Sequence, residues 1–293
     1  VVLPMTGEVM TFTQQGLLSN PQLSPGGDYL TYYYYLPGGG TSNYGSQIYD
    51  VEAGAFLDNV IPEKADGVFF SPDGDRLSYG LWELGRHEIC TVPVGQWDAA
   101  TCFSDGLDHG WPRWSPDGEW LFFYARRTAS AEAWNLYKSR PDGTELTPLS
   151  TGSGADVWDP VWSPDGAWIA YSAQPAGDHR APGDVWIVRP DGSEARKVFE
   201  GSHAHFGLAW TPDSLKLAIR GHESGMYLYS MQDDSVRQVP GTEELTCLTP
   251  IWSPTPDGWP LLFLTWDLDE ERVGGLRYFR EGQPVGVVNE PDV

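Results

Sequence analysis

The chain has 293 residues, of which 40% are hydrophobic, so a packed core is expected and wholesale disorder is excluded. Its 41 acidic residues against 18 basic ones leave a formal net charge of −23, which repels phosphate backbones and anionic bilayers and argues against a nucleic-acid or membrane-surface role. No run of 18 apolar residues exists, so no membrane span is expected.

Gly 34 and Pro 24 together make about a fifth of the chain, and 14 Trp and 14 Tyr accompany them. That mixture suits many short strands joined by tight turns. The chain begins at Val1, which reads as a processed or shortened product whose leader or anchor lies outside it.

Taken in order, the first strand-like run is EVMTF at 8–12. A unit then recurs: QLSPGGDYLTYYY from Gln22, FFSPDGDRLSYG from Phe69, RWSPDGEWLFFYA from Arg113, VWSPDGAWIAYSA from Val161, AWTPDSLKLAIRG from Ala209 and IWSPTPDGWPLLFLTW from Ile251. The hydroxyl anchors Ser24, Ser71, Ser115, Ser163, Thr211 and Ser253 are spaced by 47, 44, 48, 48 and 42 residues. That is the period of a propeller blade of four strands.

Within a unit, a short strand ends in Leu23, Phe70, Trp114, Trp162, Trp210 or Trp252, just before the anchor. Pro presets φ for the turn that follows, Asp bonds the backbone two residues on, and Gly accepts positive φ. A second strand follows, then a third (NLYKS from Asn135, DVWIV from Asp184, MYLYS from Met226) and a fourth (LTPLS from Leu146, ARKVF from Ala195, VRQVP from Val236). One blade cannot bury both its faces, so six stacked blades closing into a ring are expected, an all-β six-bladed propeller across 1–293.

EVMTF stands 16 residues before its anchor, as ARKVF does. It is therefore expected to be a fourth strand of the last blade and to fasten the ring, with 1–16 as the closing segment. PVGVV from Pro284 is a competitor for the same place.

The [FW]-[ST]-P-D-G unit resembles the TolB-type, WD-like β-propeller repeat. It departs from that pattern at Gly26, at Ser214 and in the inserted Thr255-Pro256. Such repeats occur in the periplasmic component of the Tol–Pal system, in secreted and surface bacterial proteins, and in propellers attached to prolyl-oligopeptidase-type hydrolases. The resemblance implies a binding scaffold in the periplasm or at the cell surface, and a protein or peptide partner.

Among three cysteines, Cys90 and Cys102 flank the turn-prone PVGQWD. In a hairpin about that turn they face each other, which allows a cross-strand disulfide; two buried thiols are the alternative. Cys247 is left over.

Catalytic patterns are sparse. No G-x-S-x-G, P-loop, G-x-G-x-x-G, H-E-x-x-H or C-x-x-C occurs, so neither a catalytic residue nor a cofactor is assigned. His203 and His205 form an H-x-H pair without a recognisable third ligand, and Asp267, Asp269 and Glu271 form an acidic turn that lacks the Gly of a calcium loop. Asp73, Asp117, Asp165 and Asp257 recur in each turn and are read as turn formers, because a catalytic group is needed in one place only.

Four to six residues before each anchor the repeat loses regularity. Asn20, Asp66, His109, Trp111, Trp158, Asp159, His205 and Phe206 stand there, at equivalent positions where first strands line a channel. Their mixture of acids, imidazoles and aromatics is expected to hold a protein or peptide segment at an acidic channel mouth, with a basic partner favoured by charge. Two other classes stay open: a metal-dependent lyase or hydrolase drawing on His109 and His205, and a carbohydrate-binding module using Trp111 or Trp158.

Overall fold

A computed structural model describes residues 17–35, 44–58, 60–62, 65–83, 86–104, 106–127, 133–150, 154–178, 181–203, 207–252, 260–267 and 272–287. It forms six four-stranded antiparallel blades in a ring. The first blade is β1 (Leu17–Leu23), β2 (Tyr29–Tyr35), β3 (Tyr44–Asp50) and β4 (Ala55–Leu57); the second is β5 (Ala65–Phe70), β6 (Arg76–Glu83), β7 (Arg86–Pro93) and β8 (Thr101–Phe103). The third is β9 (Leu107–Trp114), β10 (Leu121–Arg127), β11 (Asn135–Ser139) and β12 (Thr147–Pro148); the fourth is β13 (Ala155–Trp162), β14 (Ile169–Pro175), β15 (Gly183–Val188) and β16 (Arg196–Ser202). The fifth is β17 (Leu208–Trp210), β18 (Lys216–Arg220), β19 (Met226–Ser230) and β20 (Val236–Gln238); the sixth is β21 (Thr246–Trp252), β22 (Leu261–Asp267), β23 (Arg272–Phe279) and β24 (Gly286–Val287). A single 3-10 turn, Trp97–Ala99, is the helical content among the described residues.

Among the described residues, the anchor hydroxyls organise the turns that follow them. Ser115 Oγ donates to Asp117 Oδ1 (2.5 Å) and accepts the Trp120 N–H (2.9 Å), while Asp117 Oδ1 also accepts the Glu119 N–H (3.0 Å). The same three bonds recur at Ser71, Ser163 and Thr211. The turn aspartates are thus used by the backbone. At Ser214 the chain adopts φ +62° without a glycine, and its Oγ accepts the Asp165 N–H (3.0 Å). The departure from Gly that looks like a change of turn geometry also ties the fourth blade's turn to the fifth's.

Apolar clusters lie between blades. Phe69 and Ile89 pack with Trp114, Leu121 and Phe123; Phe122 and Leu136 with Ile169 and Tyr171; Val185 and Ile187 with Trp210 and Leu217; Ala218 and Met226 with Leu261 and Phe263; Ile48 with Leu77 and Tyr79. These join neighbours one to two through five to six. Among the described residues no such cluster joins the sixth blade to the first.

Among the described residues the fourth strand of the sixth blade is β24, which pairs with β23 through Arg277↔Val287 and Tyr278↔Gly286. The competitor PVGVV supplies it. A C-terminal strand joins by a short turn from β23, so the sheet gains its fourth strand without closing a long loop. Residues 8–12 and Ser253 lie outside the described residues.

Cys90 and Cys102 are cross-strand partners in β7 and β8 and form a disulfide, whereas Cys247 is a buried free thiol.

Candidate binding site in the central channel

The first strands of blades one to four meet at one cavity, and in five of the six blades the first strand does not run straight. Register shifts fall between Ser19 and Gln22, between Asp66 and Phe69, opposite Phe122 and Tyr124 in β9, between Trp158 and Val161, and between Cys247 and Pro250. In these five blades the irregular stretch before the anchor is therefore a β-bulge, a device that re-aims side chains.

In three consecutive blades the residue four before the anchor has a left-handed backbone: Gly67 (φ +56°), Trp111 (φ +53°) and Asp159 (φ +49°). A Cβ on Gly67 would stand 2.9 Å from the Cα of Trp111, so the bulges of the second and third blades touch through backbone. Glycine is required at that close approach. Trp111 and Asp159 adopt a similar backbone without that freedom.

Asp159 is partly buried, and its Oδ2 accepts the N–H groups of Gly207 (2.8 Å) and Leu208 (3.3 Å) on the fifth blade. Burial pushes its carboxyl above the usual range, against the opposing pull of Arg113 and of those two N–H groups. The carboxylate is a staple between blades, a different use from the free acid expected at the mouth.

Trp158 packs edge-on to Tyr124 (5.3 Å between centroids) and tilted against Trp134 (6.2 Å), and Arg126 covers the Trp134 ring at 4.5 Å. Trp111 lies 6.3 Å from Phe69. His109 is elsewhere: it is fully buried, with Phe103 at 5.9 Å and Phe123 at 5.2 Å. Its ring points between the second and third blades, because strand alternation sends it to the packed face. The expectation of a channel-facing imidazole is corrected here.

The side chains of Asn20 and Asp66, and all of His205 and Phe206, lie outside what is described. Of the H-x-H pair only His203 is described, stacked 6.1 Å from His222. Among the described residues no three His, Cys, Asp or Glu side chains gather as metal ligands.

One channel residue escaped sequence reasoning. Arg113, two before its anchor, lies over the Phe69 ring at 4.0 Å. Burial lowers its pKa, opposed by Asp159 and Tyr124. A signal existed: the equivalent positions hold Gln22, Phe69, Val161, Ala209 and Ile251, so Arg113 is the one charge in the series. Arg113 lines a cavity of about 330 Å³ with Leu23, Phe70, Trp114, Val161 and Trp162, where the first strands of blades one to four converge.

No protein-family model matches the chain. No curated protein matches it either. Solved structures do. TolB from Acinetobacter baumannii is 18% identical with a TM-score of 0.57, over 78% of this chain and 56% of that one. An oligogalacturonate lyase in complex with manganese is 18% identical with a TM-score of 0.63, over 88% and 72%. The propeller domain of the trilobed protease from Pyrococcus furiosus, described as having an open velcro topology, is 14% identical with a TM-score of 0.62, over 95% and 86%. The chain thus spans little more than half the length of that TolB protein. At these identities the likeness is one of fold, the six-bladed β-propeller that the TolB-type repeat led one to expect.

Proposed function

We propose that the propeller is a binding scaffold, and that it holds a protein or peptide segment at the channel mouth, in the periplasm or at the cell surface. The observation that carries this reading is the pair Trp111 and Asp159, non-glycine residues in left-handed conformations at equivalent bulges. Backbone strain of this kind costs on the order of 1–3 kcal/mol per residue and tends to persist where it positions a functional surface. Trp158, set against Tyr124 and Trp134, supplies an apolar anchor of the type that carries most interface energy. The net charge of −23 steers a basic partner toward the ring and weakens with salt. The Cys90–Cys102 disulfide supports an oxidising compartment.

The test is a selection of basic peptides on the immobilised protein, followed by association kinetics at low and high salt. Association should slow as salt rises, and Trp158→Ala should mainly speed dissociation. If Trp158→Ala leaves affinity within about threefold, roughly 0.65 kcal/mol, the mouth is not the site. Stoichiometric metal in the purified protein together with lyase or hydrolase turnover would replace this reading with an enzymatic one.

A further inference from the structure

We propose that the anchor end of the channel is an anion pocket, and that it takes a carboxylate carried on an apolar body. The proposal goes beyond the mouth reading and uses a different layer of residues, those one or two before the anchors.

Three observations carry it. First, Arg113 lines a cavity of about 330 Å³, at the small end of ligand sites, which run roughly from 300 to 1,000 Å³. Second, among the described residues the Arg113 guanidinium makes no hydrogen bond and no ion pair within 4 Å; its contact is the face of Phe69 at 4.0 Å. Guanidinium donors are arranged as a fork that matches a carboxylate, and here they have no acceptor. Asp159 acts on this cation from farther away, and its own Oδ2 is engaged by Gly207 and Leu208. Third, the remaining walls are mostly apolar, including Leu23, Phe70, Val161 and Trp162.

The chemistry of the walls selects the ligand. Contact with the Phe69 face keeps the guanidinium beside the cavity before a ligand arrives. An acidic sugar would bring several hydroxyls, each needing a partner, to a mostly apolar wall, and the anchor hydroxyl Ser71 already serves Asp73 and the Arg76 N–H. An apolar residue bearing a free carboxylate satisfies both halves of the cavity. Two sources share that chemistry: the C-terminus of a peptide ending in Leu or Phe, and a free aryl or alkyl acid.

Calorimetry on the full chain tests this with four probes: a hexapeptide ending in Phe with a free carboxylate, the same peptide amidated, phenylacetate and phenylacetamide. Each acid that fits should bind at least tenfold tighter than its amide. Arg113→Gln should abolish that preference, and Arg113→Lys should retain part of it. A tighter peptide acid names a C-terminus as the source, and a tighter phenylacetate names a free acid. Because the acid-to-amide comparison is made in the unaltered protein, a variant that fails to fold does not rescue the idea. Equal affinity of acid and amide, no binding by any probe, or a preference that survives Arg113→Gln in folded protein would each overturn the pocket. The mouth reading stands or falls separately, on Trp158→Ala and its basic peptide.

Discussion

The indole Nε1–H of Trp210 donates to the backbone carbonyl of Val161 at 3.2 Å, from the fifth blade to the fourth. Trp114 makes the equivalent bond to Phe69 (3.1 Å) and Trp252 to Ala209 (3.0 Å). Trp162 occupies the same place in the fourth blade, but its buried Nε1 has no acceptor among the described residues. Three of the four motif tryptophans are therefore rivets between blades as well as apolar filling.

The comparison of Trp210→Phe with Trp162→Phe isolates the rivet. Both changes remove similar volume, but only the first breaks a hydrogen bond. Trp210→Phe should be the more destabilising by about 1 kcal/mol, read from urea midpoints at unchanged slope. Equal losses would show that the bond adds nothing to packing.

Acid should loosen the turns. Hydrogen bonds from Ser71 and the Asp75 N–H hold the Asp73 carboxyl below its ordinary value. At Asp117, burial pushes the carboxyl up, but Ser115 and the Glu119 N–H outweigh it and the net shift is downward. Asp165 and Asp213 follow the same balance. A carboxyl lowered in the folded state binds protons less readily there than in the unfolded chain. Its contribution is fully present above the unfolded value near pH 4 and is lost as pH falls through the lowered folded values. Urea midpoints measured from pH 6 to pH 2 should drop through that window, and Asp73→Ala should flatten the drop. A profile unchanged by Asp73→Ala would remove the turn carboxyl from the account.

Reduction should cost stability, and Cys247 should stay unreactive while the protein is folded. The Cys90–Cys102 bond closes a loop of sequence separation 12, a size worth about 3 kcal/mol. Burial pushes the Cys247 thiol up to about 11, so it should resist thiol reagents until the protein unfolds. Thermal melts with and without reductant, and thiol titration before and after denaturant, check both statements. A freely reactive Cys247 in the native protein would contradict its burial.

The ring should open first between its ends. Leu23 (37% exposed) stands where the third, fifth and sixth blades place a riveting tryptophan, and Ile251 (59% exposed) lies two before the last anchor. Hydrogen exchange should be fastest in the first and sixth blades, next to the one junction that lacks an apolar cluster among the described residues. Uniform protection across all six blades would refute this.

Sequence alone determined the architecture, because its signals are local. Ser-Pro-Asp-Gly and its near variants form their turn from local bonds alone, and the repetition at blade spacing leaves a ring of sheets as the way to bury both faces. The bulges of five blades were legible too, as loss of regularity before the anchor. The tertiary structure decided what individual side chains do. Whether His109 meets the channel or the packed face, whether Asp159 greets a ligand or staples Gly207, and whether Arg113 finds an acceptor all depend on neighbouring blades some 45 residues away in the chain. The last blade shows the same division. Two segments carried the pattern of a fourth strand, and the one the described residues show in the sheet is β24, joined to β23 by a short loop. Pattern and propensity act within a few residues, whereas burial and charge are set by whatever the fold brings alongside.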